Sequence, residues 1–539
     1  MGLNPQQKEA VYSDESKILC LAGAGTGKTY CMIERIWRLV SQNDVDPSSI
    51  LVLTFTNAAA FEMKNRYVAK VSGKFKQLMP EFRTFHSFCY LLLSIDPDIR
   101  SRLGFSSVPA IADPEAEHRM KIEAQMQLGY KLSDKKLSGK VTLNEKEQFQ
   151  YETILKAYKR IMKKNNFITF DSLCYDVCKL FVDDEQIVQK YKNRFKYIFV
   201  DEFQDTDTKQ YDFVRSFSGA NLFVVGDALQ SLYSFRGADS SIIKMLADNP
   251  LWKVIKLIEN YRSCKCICDF ANENTSYASD VYRVLIHSDK PGGSVNIQLF
   301  KNGYSKRGKI IDDNIKSYIL SCKDMDGTTA IICRTNSEVA DIQNILKENS
   351  IEYSSNNKDD SAVNILKSVS DNNFCMNWLS TYLDAYQYSE YIRQSTINSA
   401  YCLDDFLTSF NSIENIKDRW LKIDIVRRIL KSRIDGKEKL SYILDLLNIG
   451  HSDTYLSVTS LSKLIELLES GDNGGNFNIY VGTVHSVKGL EYDNVILSGL
   501  CGPTFQLTNE ENNNVYYVAI TRAKTNLLIL KGQSGVDYA

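Results

Sequence analysis

Short, nearly continuous apolar runs recur along the chain, and each ends in small or acidic residues: KILCLAG (17–23), ILVLTFT (50–56), YIFVDE (197–202) and LFVVGD (222–227). A strand with one wet face alternates apolar and polar positions. These runs do not alternate, so each reads as a strand buried on both faces. Helical patterns lie between them, which predicts a parallel α/β sheet for the first half of the chain. A second series follows, TAIICR (329–334), IYVGTVHS (479–486), NVILSG (494–499) and NLLIL (526–530), and predicts a second α/β core. The stretches 89–190 and 350–472 are helical in pattern and too long to be loops of a compact domain. They read as inserted helical subdomains, the second rich in Asn, Ser, Tyr and Asp, with GDNGGN (471–476) as a linker back. The expected organisation is a first core at 1–88 and 192–258 with its insertion at 89–191, and a second core at 259–349 and 473–539 with a reduced insertion at 350–472.

Composition adds limits. A chain of 539 residues with 44% hydrophobic and 24% charged residues has the makeup of a globular protein of three or four domain-sized units. No apolar run approaches the roughly 18 residues that span a bilayer, and MGLNPQQKEA lacks a signal-peptide core, so the expected location is the cytoplasm, away from membranes. A net charge of −1 excludes a globally basic nucleic-acid coat but leaves room for a local basic groove. The thirteen cysteines are scattered, and the densest group, Cys264, Cys266 and Cys268, lacks CxxC spacing. It reads as reduced thiols, not as a metal site.

The clearest chemistry is AGAGTGKT, residues Ala22, Gly23, Ala24, Gly25, Thr26, Gly27, Lys28 and Thr29, between the strand KILCL and the helical run YCMIERIWRLV. Glycines let backbone N–H groups wrap phosphate oxygens, and the following helix N-terminus adds positive dipole. Lys28 is positioned to reach β- and γ-phosphates, and Thr29 to ligate Mg²⁺. Ala22 stands where the general pattern has Gly. The second half of the site is VDEFQDT (200–206). Asp201 ends a buried strand, where a carboxylate holds Mg²⁺ through water, and Glu202 beside it suits deprotonation of an attacking water. Paired acids also occur in solvated turns, but the apolar run before these argues against that.

With LNPQQ, LTFTNAAA, TFHSF, VGDALQSLYSFRGA, NYRS, GTVHSVKGLEY and YVAITRAK in one order with these two motifs, the chain resembles superfamily 1A helicases of the UvrD/Rep/PcrA type from Leu3 to Lys524. The resemblance implies two RecA-like cores, each with a helical insertion (1A, 1B, 2A and 2B), ATP and Mg²⁺ between the cores, and single-stranded DNA across them. It makes Gln7 the adenine-reading amide, Tyr261 the aromatic that stacks on the base, and Glu491 an acid near the ribose. Tyr30 replaces an Arg common in relatives, leaving either stacking from both sides or one open face. Arg262 and Arg522 correspond to two arginines that approach the γ-phosphate from the second core, where planar guanidinium forks suit developing phosphoryl charge. Gln230 corresponds to the γ-phosphate sensor.

On the DNA side the resemblance implicates Phe55, Asn57, His86, Tyr233, Phe235, Arg236, His485 and Ser486. Aromatic stacking on bases is sequence-tolerant, which suits a stepping motor. A Phe in a strand-to-helix turn is also an ordinary core residue. Ala58 stands where relatives commonly carry Lys. The basic run Lys156, Lys159, Arg160, Lys163 and Lys164 suits duplex phosphates, and a solvated helix face explains it equally well.

The expected activity is a DNA-stimulated ATPase that translocates 3′→5′ and unwinds duplex at single-strand/double-strand junctions, in repair, replication restart or phage defence; the direction is the family's. Both insertions look short, and no C-terminal nuclease domain fits within the chain. A second expectation follows from that reduction: a regulatory subunit whose ATP and DNA state controls a separate nuclease in a defence complex of the Gabija kind. An RNA motor is the third, without any feature that reads a 2′-hydroxyl.

Overall fold

The structure is a computed structural model describing residues 2–71, 79–112, 114–137, 142–217, 219–232, 237–301, 310, 312–355, 365, 366, 369, 414–431, 435–447, 460, 461, 463–465, 478–499, 507 and 510–533. It divides into two compact units, Met1–Gly293 with Leu507–Thr521, and Ser294–Gln506 with Arg522–Ala539.

In the first unit, six parallel strands form one sheet: β1 (Lys17–Ala22), β2 (Ile50–Thr54), β3 (Glu81–Thr84), β6 (Tyr197–Val200), β7 (Asn221–Gly226) and β8 (Lys253–Leu257). Their order is β3-β2-β6-β7-β1-β8, and a separate short pair joins β4 (Ala110–Ile111) to β5 (Phe167–Ile168). The unbroken apolar runs are explained by the two faces. Leu19, Leu21, Leu51, Leu53, Leu222 and Val224 enter one core. Ile18, Cys20, Ile50, Val52, Phe223 and Val225 enter the other. With both faces covered, alternation would leave polar groups in apolar packing.

The second of these faces is covered by α1 (Pro5–Tyr12), α2 (Lys28–Gln42) and α3 (Asn57–Lys70), through residues such as Val11, Ile36 and Tyr67. The chain then runs through α4 (Phe85–Ile95), α5 (Pro97–Arg102), α6 (Pro114–Gln127), α7 (Asp134–Leu137), α8 (Glu145–Lys164), α9 (Phe170–Asp183), α10 (Glu185–Lys192) and α11 (Thr208–Ser216). The stretch 89–191 is helical but is not one separate body. Phe88, Leu92, Val177, Phe181 and Tyr191 pack into the sheet's own core. A distinct small core exists only further out, among residues such as Ala124, Leu137, Ile154 and Met162 of α6 to α8.

The second unit is a parallel sheet of β9 (Ser294–Lys301), β10 (Thr329–Cys333), β11 (Ser354–Ser355), β12 (Ile479–Thr483), β13 (Tyr492–Leu497) and β14 (Ala523–Gln533), in the order β11-β12-β10-β13-β14-β9. Ile331, Val481 and Ile496 pack under helical residues Ile315, Ile319, Val339 and Ile342. The fold is therefore α/β with two RecA-like cores. The stretch 350–472 lies mostly outside the described residues, which there include the helices Glu414–Lys431 and Gly436–Leu446.

The boundary expected at residue 258 moves. The first unit continues to Gly293 and takes back Leu507–Thr521. Residues after β8 are tied to it by side chains: Asn260 donates to the Ala24 carbonyl at 2.7 Å. In the returning segment, Asn514 accepts from the Tyr277 hydroxyl at 2.7 Å and donates toward the Ala228 and Ser231 carbonyls at 3.4 Å.

One buried cation sets the position of α1, which carries Gln7. Arg35 is 4% exposed, lies over the Phe223 ring and donates to the carbonyls of Ala10, Val11 and Ser13 at 2.8, 3.2 and 2.9 Å. These are carbonyls at a helix C-terminus, where intrahelical donors run out, and Arg38 Nη1 also donates to that of Val11 at 3.2 Å. Burial pulls the guanidinium down to about 10, so it stays charged at neutral pH. Arg35→Met removes the Arg35 bonds to the Ala10 and Ser13 carbonyls, while Val11 keeps Arg38, and is expected to cost roughly 1–3 kcal/mol. The check is the urea midpoint; an unchanged midpoint would show that packing alone holds α1.

Candidate nucleotide site

β1 ends at Ala22 and α2 starts at Lys28, so the intervening loop turns at the carboxyl edge of the sheet. Gly27 caps α2 with φ 81° and Gly25 has φ 71°, both in the left-handed region that suits glycine. Gly25 has a second reason: a Cβ there would lie 2.8 Å from Arg262 Cβ and from Asn260 Nδ2. Those two residues strap the loop. Besides the Asn260 bond to Ala24, the Tyr261 N–H donates to the Gly25 carbonyl at 2.9 Å. Asn260 Oδ1 in turn accepts from the N–H groups of Arg262 and Ser263 at 2.8 and 2.7 Å. From the other side Gln7 Nε2 donates to the Thr26 carbonyl at 3.2 Å, and the Thr26 hydroxyl donates to Gly23 at 2.8 Å.

Facing this loop is a charge arrangement that is not internally balanced. Lys28 Nζ lies 3.8 Å from Glu202 Oε2, too far for a hydrogen bond, and its buried ammonium has no hydrogen-bond partner. Asp201 is 5% exposed, and its Oδ1 is also without one. Burial, then the Glu202 charge, pushes the Asp201 carboxyl up to about 7, with Lys28 opposing. A buried cation and a buried carboxylate each short of a partner fit a ligand that brings both phosphate oxygens and a divalent cation. Thr29 is half-buried in the first turn of α2. Of the expected metal pair, Asp201 thus carries a positive indication.

Glu202 has φ 48°, unusual for a non-glycine residue, directly after β6. The bend opens a turn in which the Asp205 N–H donates to the Glu202 carbonyl at 2.9 Å. Gln204 Nε2 donates to Glu202 Oε2, while its Oε1 accepts the Asp227 N–H at 3.0 Å. Asp227 Oδ2 accepts from Gln230 Nε2 at 2.7 Å, and burial holds the Asp227 carboxyl above its ordinary range. The structure therefore joins Lys28, Glu202 and Gln230 in one polar chain whose middle members, Gln204 and Asp227, sequence reasoning passed over. Gln204 lies two residues past Glu202 in VDEFQDT, which was the available signal.

Around the expected base position, Asn4 Nδ2 donates to the Tyr261 hydroxyl at 2.9 Å. Gln7 is 2% exposed, and its Oε1 accepts the Asn4 N–H at 3.2 Å. Each end of its amide is thus used once, leaving one lone pair and one N–H for a base edge. The Tyr30 hydroxyl is raised by burial and by its hydrogen-bonded neighbour Glu34, which itself pairs with Lys70 at 2.8 Å.

Arg262 belongs to the first unit, not the second as expected, because the segment after β8 is strapped to the phosphate loop. Its Nη1 donates to the Thr521 carbonyl at 3.0 Å. Arg522 is 1% exposed and donates from Nη1 to the Leu490 carbonyl at 3.2 Å, while Glu491 pairs with Lys524 at 3.3 Å.

Of the expected strand contacts, Phe55 is half-buried after β2 and Asn57 is exposed at the start of α3. His86 stacks on Phe170, ring centroids 4.1 Å apart and planes within 5°. Phe170 is 54% exposed and was not singled out from sequence. His485 is half-buried after β12; Ser486 donates to the Thr483 carbonyl at 2.8 Å and accepts from the Tyr480 hydroxyl at 3.1 Å. Tyr233, Phe235 and Arg236 lie outside the described residues. Lys156, Lys159, Arg160, Lys163 and Lys164 are exposed on α8. Among the described residues, no helix is long and apolar enough to cross a membrane.

Comparison with known proteins bears on the same elements. The UvrD/REP helicase N-terminal domain matches residues 3–128 and 111–250, and the UvrD-like helicase C-terminal domain matches 354–534. The ATP-dependent DNA helicase PcrA of Staphylococcus epidermidis (strain ATCC 35984) is 28% identical, over 98% of this chain and 83% of the relative. That of Staphylococcus aureus (strain Mu50) is 27% identical, over 99% of this chain and 83% of its own length.

Asp201 gives the site a pH signature. Its folded pKa lies above its unfolded value, so the folded state binds the extra proton and stability from this group falls as pH rises from about 4 to 7. Above that window the loss is complete. Asp201→Asn is therefore expected to be more stable than the parent without nucleotide, by a few kcal/mol at most, with the gap opening between about pH 4 and 7. Thermal melts across this range check it; a gap independent of pH would mean that Asp201 is not held protonated by its surroundings.

Proposed function

Because the chain belongs to the UvrD/Rep/PcrA-type superfamily 1 helicases, we propose that it is an ATP-driven DNA motor that moves 3′→5′ on single-stranded DNA and unwinds duplex at single-strand/double-strand junctions. The observation that carries this reading is the pair of buried atoms without hydrogen-bond partners, Lys28 Nζ and Asp201 Oδ1, beside a glycine loop strapped by Asn260 and Tyr261.

ATP with Mg²⁺, when bound, supplies the phosphoryl group whose transfer to water drives movement. Loop N–H groups and Lys28 would take the phosphate charge, while Thr29 and Asp201 would hold the cation, with the Asp201 carboxylate ionised. Glu202 orients the attacking water and takes its proton, and Gln204 fixes the carboxylate through its bond to Oε2. Gln230 senses the γ-phosphate, and its link through Asp227 and Gln204 gives that signal a short route to Glu202. Arg262 and Arg522 are proposed as the two guanidinium groups that meet developing phosphoryl charge. Gln7, Tyr30 and Tyr261 are proposed to frame the base, with Glu491 toward the ribose.

Along the DNA, Phe55, Asn57, His86, Tyr233, Phe235, Arg236, His485 and Ser486 are the proposed strand contacts. The exposed flat face offered by His86 and Phe170 suits stacking that ignores base identity. DNA repair, replication restart and phage defence are the settings in which such a motor is expected.

The test is DNA-stimulated ATP hydrolysis and strand displacement by the purified chain. Glu202→Gln is expected to keep ATP binding and lose about 10²–10⁴-fold in kcat; normal turnover would sink the assignment. Displacement on 3′-tailed but not 5′-tailed duplexes checks the polarity, and the opposite preference overturns it.

A further inference from the structure

Three buried thiols converge where α4 and α9 pack. Cys89 Sγ lies 4.0 Å from Cys174 Sγ and 4.0 Å from Cys178 Sγ, and Cys174 and Cys178 are 3.8 Å apart. Among the described residues, this is the one group of three or more His, Cys, Asp or Glu ligand atoms that meet closely enough to share an ion. Thiolates around zinc at about 2.3 Å sit about 3.8 Å apart in a tetrahedron and about 4.0 Å apart in a trigonal plane. The observed triangle has those dimensions.

The three thiols lie in the apolar core of the first unit, and one polar side chain reaches them. Gln210 Nε2 points at Cys174 Sγ from 3.8 Å, and its other end is fixed because Gln210 Oε1 accepts the Asp207 N–H at 3.3 Å. An oriented amide N–H on a sulfur is what outer-shell partners of metal thiolates supply.

We propose that Cys89, Cys174 and Cys178 form a three-thiolate site for one soft, closed-shell metal cation. Zinc(II) and copper(I) are the two ions of that chemistry, and soft thiolates select both. The cation would clamp α4 to α9 directly, with α11 joined through the Gln210 bond to Cys174. Cys89 follows His86 by one turn of α4, Cys174 follows Phe170 by one turn of α9, and α11 brings Gln210 from the segment just after Glu202. The site is thus a brace beneath the His86–Phe170 stack. Because all three thiols are buried, loading accompanies folding.

The experiment uses the full chain, expressed with zinc in the medium, purified with reductant and without chelator, and measured for metal content and total thiols after unfolding. About one ion per chain is expected, lost on Cys89→Ser and on Cys178→Ser and retained on Cys266→Ser. Loss of a ligand should weaken binding by more than about 100-fold. Anaerobic reconstitution with zinc(II) or copper(I) separates the two ions by which one raises the Tm, by about 5 °C or more. Should the serine variants not fold, cobalt(II) loaded into the unsubstituted chain gives thiolate-to-metal charge-transfer absorption whose strength reports three sulfur ligands. A metal-free protein with every cysteine titrating as a free thiol overturns the proposal. So does a metal-free protein short of two thiols, which marks a disulfide, and so does metal kept by both serine variants.

Discussion

Lys28 Nζ and Asp201 Oδ1 are both buried without hydrogen-bond partners, and both lie close to the Glu202 charge. A buried carboxylate next to a second one is expensive; here the cost appears as the upward displacement of Asp201 to about 7. One ammonium 3.8 Å from Glu202 offsets part of it but completes neither group. A fold keeps such a deficit when something else supplies the missing charge, and phosphate oxygens with a divalent cation supply both signs together. The same deficit links occupancy to stability, since ligands that bind only the folded chain stabilise it.

The loop facing those charges is held from two directions. The segment after β8 bonds to the carbonyls of Ala24 and Gly25, and α1 bonds to that of Thr26 through Gln7. The two straps are themselves joined, because Asn4 of the α1 cap also donates to the Tyr261 hydroxyl. The residues proposed to frame the base and the loop proposed to hold phosphate therefore share one set of hydrogen bonds. The carbonyls of Ala24, Gly25 and Thr26 are thus all engaged within the protein.

Much of this was legible in the residues. Unbroken runs such as ILVLTFT report burial on both faces, and the two six-stranded sheets follow from them. The glycine loop and the acids after β6 are local in sequence, so their spacing carries their chemistry. What was not legible depends on distant residues. The compact unit runs past the expected boundary at 258 to Gly293, where Asn260 and Tyr261 tie the segment after β8 to a loop some 236 positions earlier. Cys264, Cys266 and Cys268 drew notice as the densest cysteines, yet the three thiols that meet are Cys89, Cys174 and Cys178, the first separated from the others by 85 and 89 positions. Only the Cys174–Cys178 pair, four apart on one helix face, left a trace.

Arg262 shows how the two kinds of information combine. Its sequence setting, directly after the aromatic in NYRS, says what chemistry it suits; its contacts say where it stands before any ligand arrives. The backbone N–H is fixed by Asn260, and the guanidinium donates to the carbonyl of Thr521, the last residue before the chain passes into the second unit. A bond to a neutral carbonyl is weaker than a charge-assisted one to phosphate, by roughly a factor of two. Were phosphate to take the Arg262 guanidinium, as proposed, the bond given up would be the one to Thr521, beside the residue at which the second unit begins. The guanidinium proposed to meet phosphoryl charge and the backbone that continues into that unit are one hydrogen bond apart.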